Sequence, residues 1–291
     1  MELNQFISGE RLQKLAEISI IPVGDGNGES NCGFVIDQQK NNNYETFYYN
    51  GNTPELPGEV ITAKTLFVNT WTLNKFFNYI FPYLKHSHVF ISHNSDLGIG
   101  EEHRKYLDSD TVKAWYCQNA TISHPKLHAL PIGLGNQQYP HGNMQLLNDV
   151  INDTEPKSFL FFKNFNIDTN ISKRTHIDAI TTKNNILMTT NLPQKEYFKA
   201  IKRSAFCISP PGNGVDCHRI WESLYLGTIP VVETHSAFEQ FKHLPILFIN
   251  DWNKVTIDFL TSKVGMLNQF NNPIHELTMS YWVQKIYGQN I

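Results

Sequence analysis

The apolar positions of this chain fall into short runs, separated by stretches in which they recur every three to four residues. Ile18 to Val23 is the first run and ends in the glycine-rich stretch Gly24 to Gly28. Gly33 to Ile36, Thr65 to Asn69, His88 to Ser92, Val112 to Cys117 and Leu127 to Ile132 follow, each with the length and composition of a buried strand. Phe76, Phe77, Ile80 and Phe81 keep helical spacing, with Thr70 or Thr72 placed to cap the helix start. Polar, turn-rich sequence runs from Gly133 to about Gly142, and a helical piece spans Met144 to Ile151. Asn152 to Pro156 then reads as a linker. The asparagine clusters at Asn41 to Asn43, Asn184–Asn185 and Asn271–Asn272 read as surface turns.

The second half repeats the scheme. Ser158 to Phe162, Ile186 to Thr189, Ala205 to Ser209, Thr228 to Val232 and Ile246 to Ile249 are strand candidates. Ser172 to Ile180, Gln194 to Arg203 and Cys217 to Leu226 are helix candidates between them. Strands separated by helical stretches predict parallel βαβ units with right-handed crossovers. The expected fold class is therefore α/β, with two Rossmann-like domains, residues 1–154 and 155–291, facing each other across a cleft. The last helix is able to pack back on the N-terminal domain. Ligands of such sheets bind beyond the carboxyl ends of the strands.

Composition narrows the function classes. Of 291 residues, 41% are apolar and 18% charged, which predicts packed cores rather than disorder. The net charge is −3, without the basic excess by which nucleic-acid-binding proteins neutralise phosphates, so no nucleic acid is expected as partner. A local cationic pocket for one small phosphate ligand is compatible with that balance. The four cysteines, Cys32, Cys117, Cys207 and Cys217, form no CxxC pair, which argues for reduced thiols over zinc or a disulfide framework. The first residues carry acidic and basic side chains and no apolar leader, and no stretch approaches the ~20 apolar residues of a membrane span. A cytoplasmic location is the expectation that follows.

The chemistry concentrates between Ala205 and Glu233, which reads as strand, Pro/Gly turn, helix, glycine stop and strand. Pro210 and Pro211 end the strand because they cannot donate to its ladder. Gly212 and Gly214, with Asn213 between them, permit close approach of a ligand and positive backbone φ. The following helix begins near Asp216, and its free N–H groups and positive dipole end form an anion site. His218 and Arg219 in the first turn oppose that dipole unless an anion is bound there. Arg219 is suited to a phosphate by its planar fork. Glu222, one turn on, can accept from ribose hydroxyls or hold Arg219 in place. Gly227 stops the helix. The alternative is an ordinary βα connection whose helix buries Ile220, Trp221 and Leu224.

The string SPPGNGVDCHRIWESLYLGTIPVV, from Ser209 to Val232, resembles the C-terminal signature of exostosin-like glycosyltransferases: P-x-G-x-x-x-D-x-x-R followed by W/F-E-A/S-L-x-x-G-x-I-P-V-V. Tyr197 to Ser204 and Lys173-Arg174 fit the flanking pattern of that family more loosely. The resemblance implies a GT-B fold, a nucleotide-sugar donor (UDP-linked favoured, GDP-linked possible in principle) and inversion at the anomeric carbon, with a glycan hydroxyl as acceptor. It implies no required cofactor; a divalent metal is compatible with it but not implied. Carried over, Ser209, Pro211, Gly212, Asn213 and Gly214 line the donor loop, with Asp216 and His218 beside them. Arg219 meets the diphosphate and Glu222 the ribose or sugar. A second reading on the same scaffold is a nucleotide-sugar or glycan-binding protein without catalysis.

An inverting transfer needs a base to deprotonate the acceptor. Asp96, with His93 as the alternative, stands at the carboxyl end of the His88 to Ser92 run, although His93 to Asp96 also reads as a plain polar turn. Lys163 and Arg174 can neutralise phosphate or serve as solvated surface charges. Gly24 to Gly28 is no dinucleotide fingerprint, because a strand rather than a helix follows it. His124, His128 and His141 show no metal spacing.

Overall fold

The computed structural model describes residues 1–22, 34–40, 43–49, 56 and 58–288; Gly24 to Gly28 therefore lie outside the described residues. The chain divides into two compact units. The first comprises Gly9–Leu130 and the residues from Val283 on, and the second comprises Met1–Ser8 and Pro131–Trp282. The division thus falls at Pro131 and not after residue 154, and both chain ends cross over to the unit that the opposite half of the sequence builds.

The first unit holds a seven-stranded sheet. Its strands are β1 (Ile18–Pro22), β2 (Phe34–Lys40), β3 (Asn43–Tyr49), β4 (Thr65–Val68), β5 (His88–Ser92), β6 (Val112–Gln118) and β7 (Leu127–Leu130). They lie in the order β3-β2-β1-β4-β5-β6-β7. The chain from β1 through β4 to β7 pairs in parallel, and β2 and β3 are added antiparallel at one edge. Sequence reading sees β2 but misses β3, placing a turn at Asn43 where β3 begins. Helices α1 (Gly9–Gln13), α2 (Gly58–Thr62), α3 (Leu73–Tyr79) and α4 (Arg104–Leu107) accompany the sheet. The start of α3 differs in detail from the expected threonine cap. Asn69 accepts from the Trp71 N–H at 3.0 Å and opens a 3-10 turn, and Thr72 donates its hydroxyl to the Asn69 carbonyl at 2.7 Å.

The second unit holds four parallel strands in the order β11-β10-β9-β8: β8 (Phe159–Lys163), β9 (Ser204–Ile208), β10 (Ile229–Glu233) and β11 (Leu247–Ile249). Its helices are α5 (Met144–Ile151), α6 (Ile171–Lys183), α7 (Gln194–Lys202), α8 (His218–Tyr225) and α9 (Ile257–Lys263), while α10 (Met279–Tyr287) is divided between the units. Phe206, Ile208, Ile229 and Val231 from the central strands pack with Ile177, Ile186 and Leu260 in the core. The expected strand at Ile186 to Thr189 does not form. Asn185 takes a φ of 64° at the end of α6, its N–H bonds the Thr182 carbonyl, and the Ile186 N–H bonds that of Thr181. This is a Schellman stop, whose apolar partner residue is the fully buried Ile186. Burial of that residue comes from ending a helix, so its hydrophobicity was no strand signal.

Candidate functional site

β9 carries Ser209 as its continuation. The Ser209 N–H extends the ladder to the Val231 carbonyl at 3.0 Å, and its hydroxyl donates to the Cys207 carbonyl at 3.1 Å. Beyond it the chain has two prolines and cannot go on pairing, so the turn is held from outside. Arg174 donates its Nε to the Pro211 carbonyl at 2.9 Å and its Nη1 to the Asn166 carbonyl at 2.6 Å. Asn170, the N-cap of α6, donates to the Gly212 carbonyl at 2.7 Å while its own oxygen accepts from Lys173. The Gly212 N–H closes the turn on the Gly214 carbonyl at 3.0 Å, and Asn213 is exposed at the tip. The start of α6 thus fastens two consecutive carbonyls of the loop.

The expected reason for Gly212 needs correction. The described glycines with positive φ are Gly133 and Gly227. Space is tight at Gly212 instead, since a Cβ there would stand 3.1 Å from Arg174 Nη2. Gly227 meets the expectation for a helix stop: its φ is 65°, its N–H bonds the Leu224 carbonyl, and the Thr228 N–H bonds that of Ser223.

Asp216 and Lys163 have roles other than those the sequence assigns. The buried Asp216 carboxylate accepts from the backbone N–H of Ile132 at 2.7 Å and from Trp221 Nε1 at 2.8 and 3.0 Å, and it also bonds the Cys217 N–H. It fastens the loop to the segment after β7 and occupies one of the amides that the helix start was expected to offer a ligand. Burial raises its pKa to about 7 against those hydrogen bonds. Lys163 is not a solvated surface charge, and its ammonium is committed to protein partners. It is fully buried, pairs with Asp178 at 2.7 Å and donates to Thr182 Oγ1 and the Ile186 carbonyl at 3.0 Å each. Burial lowers its pKa and Asp178 opposes that.

Four of the expected side chains do converge. His218 Nδ1 lies 2.8 Å from the Gly133 carbonyl, which can only accept, so that nitrogen carries the proton. Gly133 has a φ of 68°, and a Cβ on it would strike the Ile7 carbonyl at 2.5 Å. Glu222 is buried and accepts from the Tyr197 hydroxyl at 3.0 Å. Burial raises its pKa while the charge of Arg219 acts in the opposite direction. Arg174 and Arg219 both lie over the ring of Phe165, with guanidinium carbons 5.7 and 6.0 Å from its centre. Burial lowers the pKa of Arg174, and the charge of Arg219 adds to that effect.

Arg219 differs from every other group in the cluster. Its Nε and Nη1 atoms are buried and have no hydrogen-bond partner among the described residues. Arg174 beside it spends the same kind of donors on carbonyls. A buried guanidinium donor without an acceptor costs free energy, commonly about 1–3 kcal/mol per group and more when charged. An anion supplying oxygens there would remove that cost. Beside the turn lies a small open pocket of ≈ 20 Å³, lined by Lys173, Pro211, Val215, Val232, Glu233 and His235 among others.

Sequence reading missed Phe165 under both guanidinium groups, and it named Tyr197, which bonds Glu222, and His141 without assigning them to this site. The His141 ring lies 5.7 Å from that of His218, and burial lowers its pKa. The signal for Tyr197 was legible, because Tyr197 to Ser204 was noted as part of the motif's flank.

In the first unit, His93 is buried, and its Nδ1 accepts from the Asn94 N–H at 2.8 Å. Asp96 is exposed, and its carbonyl accepts from Asn119 Nδ2 at 3.2 Å. Asn94 takes a φ of 62°, so the stretch is a tight polar turn after β5. Among the described residues no group of three or more histidine, cysteine or acidic side chains could hold a metal ion, and no helix is long and apolar enough to cross a membrane.

Residues 166–285 match the RXYLT1 C-terminal domain family, a span that includes Arg174, Tyr197, His218, Arg219 and Glu222. No curated protein matches the chain in sequence. Similar solved structures include an alpha,alpha-trehalose-phosphate synthase (UDP-forming) from Burkholderia vietnamiensis, at 9% identity and a TM-score of 0.41, covering 77% of this chain and 73% of that one. A UDP-forming synthase of the same kind from Burkholderia xenovorans has 9% identity, a TM-score of 0.43 and coverage of 78% and 74%. A glycosyltransferase from Rickettsia africae has 10% identity, a TM-score of 0.37 and coverage of 80% and 81%.

Proposed function

We propose that this chain is a glycosyltransferase of the GT-B type that takes a nucleotide-diphosphate sugar, UDP-linked by preference, and transfers its sugar to a glycan hydroxyl. The observation that carries the reading is the pair of buried, unpartnered donors on Arg219, placed beside a second guanidinium at the end of a parallel strand. Like charges held together in a buried site call for an anion, and a diphosphate supplies enough oxygens for both Arg219 nitrogens. The match of residues 166–285 to the RXYLT1 C-terminal domain supports the same assignment.

In this mechanism Arg219 holds the diphosphate through charge-assisted hydrogen bonds. As the bond from sugar to phosphate breaks, negative charge develops on the leaving oxygen, and the fixed guanidinium stabilises it. Arg174 adds positive potential while its own hydrogen bonds keep the loop in shape. Glu222, oriented by Tyr197, accepts from hydroxyls of the ribose or the sugar. Positive charge supplied by side chains makes a resident metal unnecessary in this reading. Asp96, or else His93, is assigned as the base that takes the acceptor proton.

The test is release of nucleoside diphosphate from a panel of UDP- and GDP-sugars, with and without glycan acceptors. Turnover by the wild type, with losses of at least about a hundredfold in Arg219→Ala and Glu222→Ala, supports the assignment. Equal turnover in wild type and both variants overturns it. Binding of a donor without turnover on any acceptor would leave a nucleotide-sugar-binding protein.

A further inference from the structure

The first unit carries a second pocket, which neither the donor chemistry nor the sequence motif uses. It has a volume of ≈ 290 Å³ and lies at the carboxyl ends of β4 and β5, where ligands of parallel sheets bind. Two of its walls are large apolar side chains left in solvent: Trp71 is 44% exposed and Leu97 is 44% exposed. Opposite in chemistry are Asn74 and Glu102, both exposed, and the buried His103. Glu102 lies 3.2 Å from His103 Nδ1. Burial lowers the pKa of His103, and Glu102 acts against that.

Local structure fixes these groups. Trp71 sits in the 3-10 turn capped by Asn69, so its backbone is set by a hydrogen bond at 3.0 Å. Gly98 backs the pocket, and a Cβ there would strike the Asn119 carbonyl at 2.6 Å. Thr70 bonds the His93 carbonyl at 3.4 Å through its hydroxyl, and Leu97 directly follows Asp96. The pocket therefore adjoins the turn that carries both candidate bases.

We infer that this pocket binds a pyranose ring of the acceptor glycan, with Trp71 stacked on the apolar face of the sugar and Asn74 and Glu102 hydrogen-bonded to its hydroxyls. An exposed indole at the mouth of a polar pocket matches a ligand that is apolar on its ring face and hydroxylated at its rim. A hydrocarbon would leave Asn74 and Glu102 unpaired, and a phosphate would meet Glu102 as a like charge. The inference rests on the transferase reading only for calling the sugar an acceptor.

The test uses the full chain and NMR detection of the Trp71 indole N–H, assigned through Trp71→Phe. The probes are the methyl pyranosides of glucose, galactose, mannose, xylose and N-acetylglucosamine, their β-linked disaccharides, and UDP. A saccharide that shifts the Trp71 signal in wild type, with an affinity by titration calorimetry that is reduced about tenfold or more in Trp71→Ala and largely retained in Trp71→Phe, is the expected result. Glu102→Gln weakens the same binding to a lesser degree. UDP leaves the Trp71 signal in place and binds Trp71→Ala as it binds wild type. Arg219→Ala shows the reverse, losing UDP and keeping the saccharide. No saccharide-dependent shift across the panel, or equal saccharide affinity in Trp71→Ala, overturns the inference without touching the donor site. Loss of UDP binding in wild type would overturn the donor site without touching this one.

Discussion

Arg174 and Arg219 share the ring of Phe165, yet only Arg174 has its donors paired with protein acceptors. Two positive groups at such a distance repel, and burial adds to the cost. The Arg174 hydrogen bonds explain why it stays: without them the Pro211 carbonyl has no donor from α6. Among the described residues no acceptor plays that part for Arg219 Nε and Nη1. The asymmetry separates a side chain whose donors hold the loop from one with two buried donors unpaired.

Arg219→Met should therefore separate stability from binding. Thermal unfolding without ligand is expected to stay within a few degrees of wild type, because the variant removes buried donors that had no acceptor. The stabilisation given by UDP, about 2.7 kcal/mol at a hundred times its Kd, should vanish. Differential scanning calorimetry with and without UDP reads both quantities.

Arg174→Ala should lower stability and donor use together. It removes the donors from the Pro211 and Asn166 carbonyls, at about 1.5–3 kcal/mol for each hydrogen bond to a charged group. Urea denaturation of the variant is expected to show a lower midpoint at unchanged slope.

Asp216 predicts a pH dependence. Its folded pKa is raised to about 7 from an ordinary value of 3.8, so the folded protein holds the proton more tightly than the unfolded chain. The resulting stabilisation is complete below pH 3.8 and is lost as pH rises through about 7. In Asp216→Asn that loss is absent. Melting curves of the two proteins should show the wild-type Tm falling relative to that of the variant as pH rises from 3.8 to about 7.

Lys163→Met should leave UDP affinity per folded molecule unchanged, since the ammonium is committed to Asp178, Thr182 and Ile186. Stability should fall by roughly 1–3 kcal/mol, because the carboxylate left behind by the lost pair retains partial access to water. Titration calorimetry and denaturation on the same sample check both expectations.

The alternation of strands and helices was legible because each βαβ repeat writes its own apolar run. β5 and α5 match their sequence boundaries residue for residue. The turn after β9 and the end of α8 were legible because Pro210, Pro211 and Gly227 each impose a backbone constraint that few other structures accept. Less legible were features whose cause lies far along the chain. Ile186 looks like part of a strand until Asn185 is seen in a left-handed turn. Asp216 looks like the start of an anion site until Ile132, 84 positions away, is found donating to it. Lys163 looks like a solvated strand end until α6 packs Asp178 against it. The unit boundary at Pro131 escaped for the same reason: Gly133 belongs with His218, and no local pattern announces that bond.

The central claim is that the unpartnered donors of Arg219 receive a diphosphate. It is tested most directly by following the Arg219 Nε–H resonance in ¹⁵N-labelled protein, assigned through Arg219→Met, while UDP is added and its phosphorus signals are recorded. A saturable downfield shift of that resonance, in step with the change at both UDP phosphorus nuclei, is predicted. UDP binding that leaves the Arg219 resonance unmoved would contradict the account.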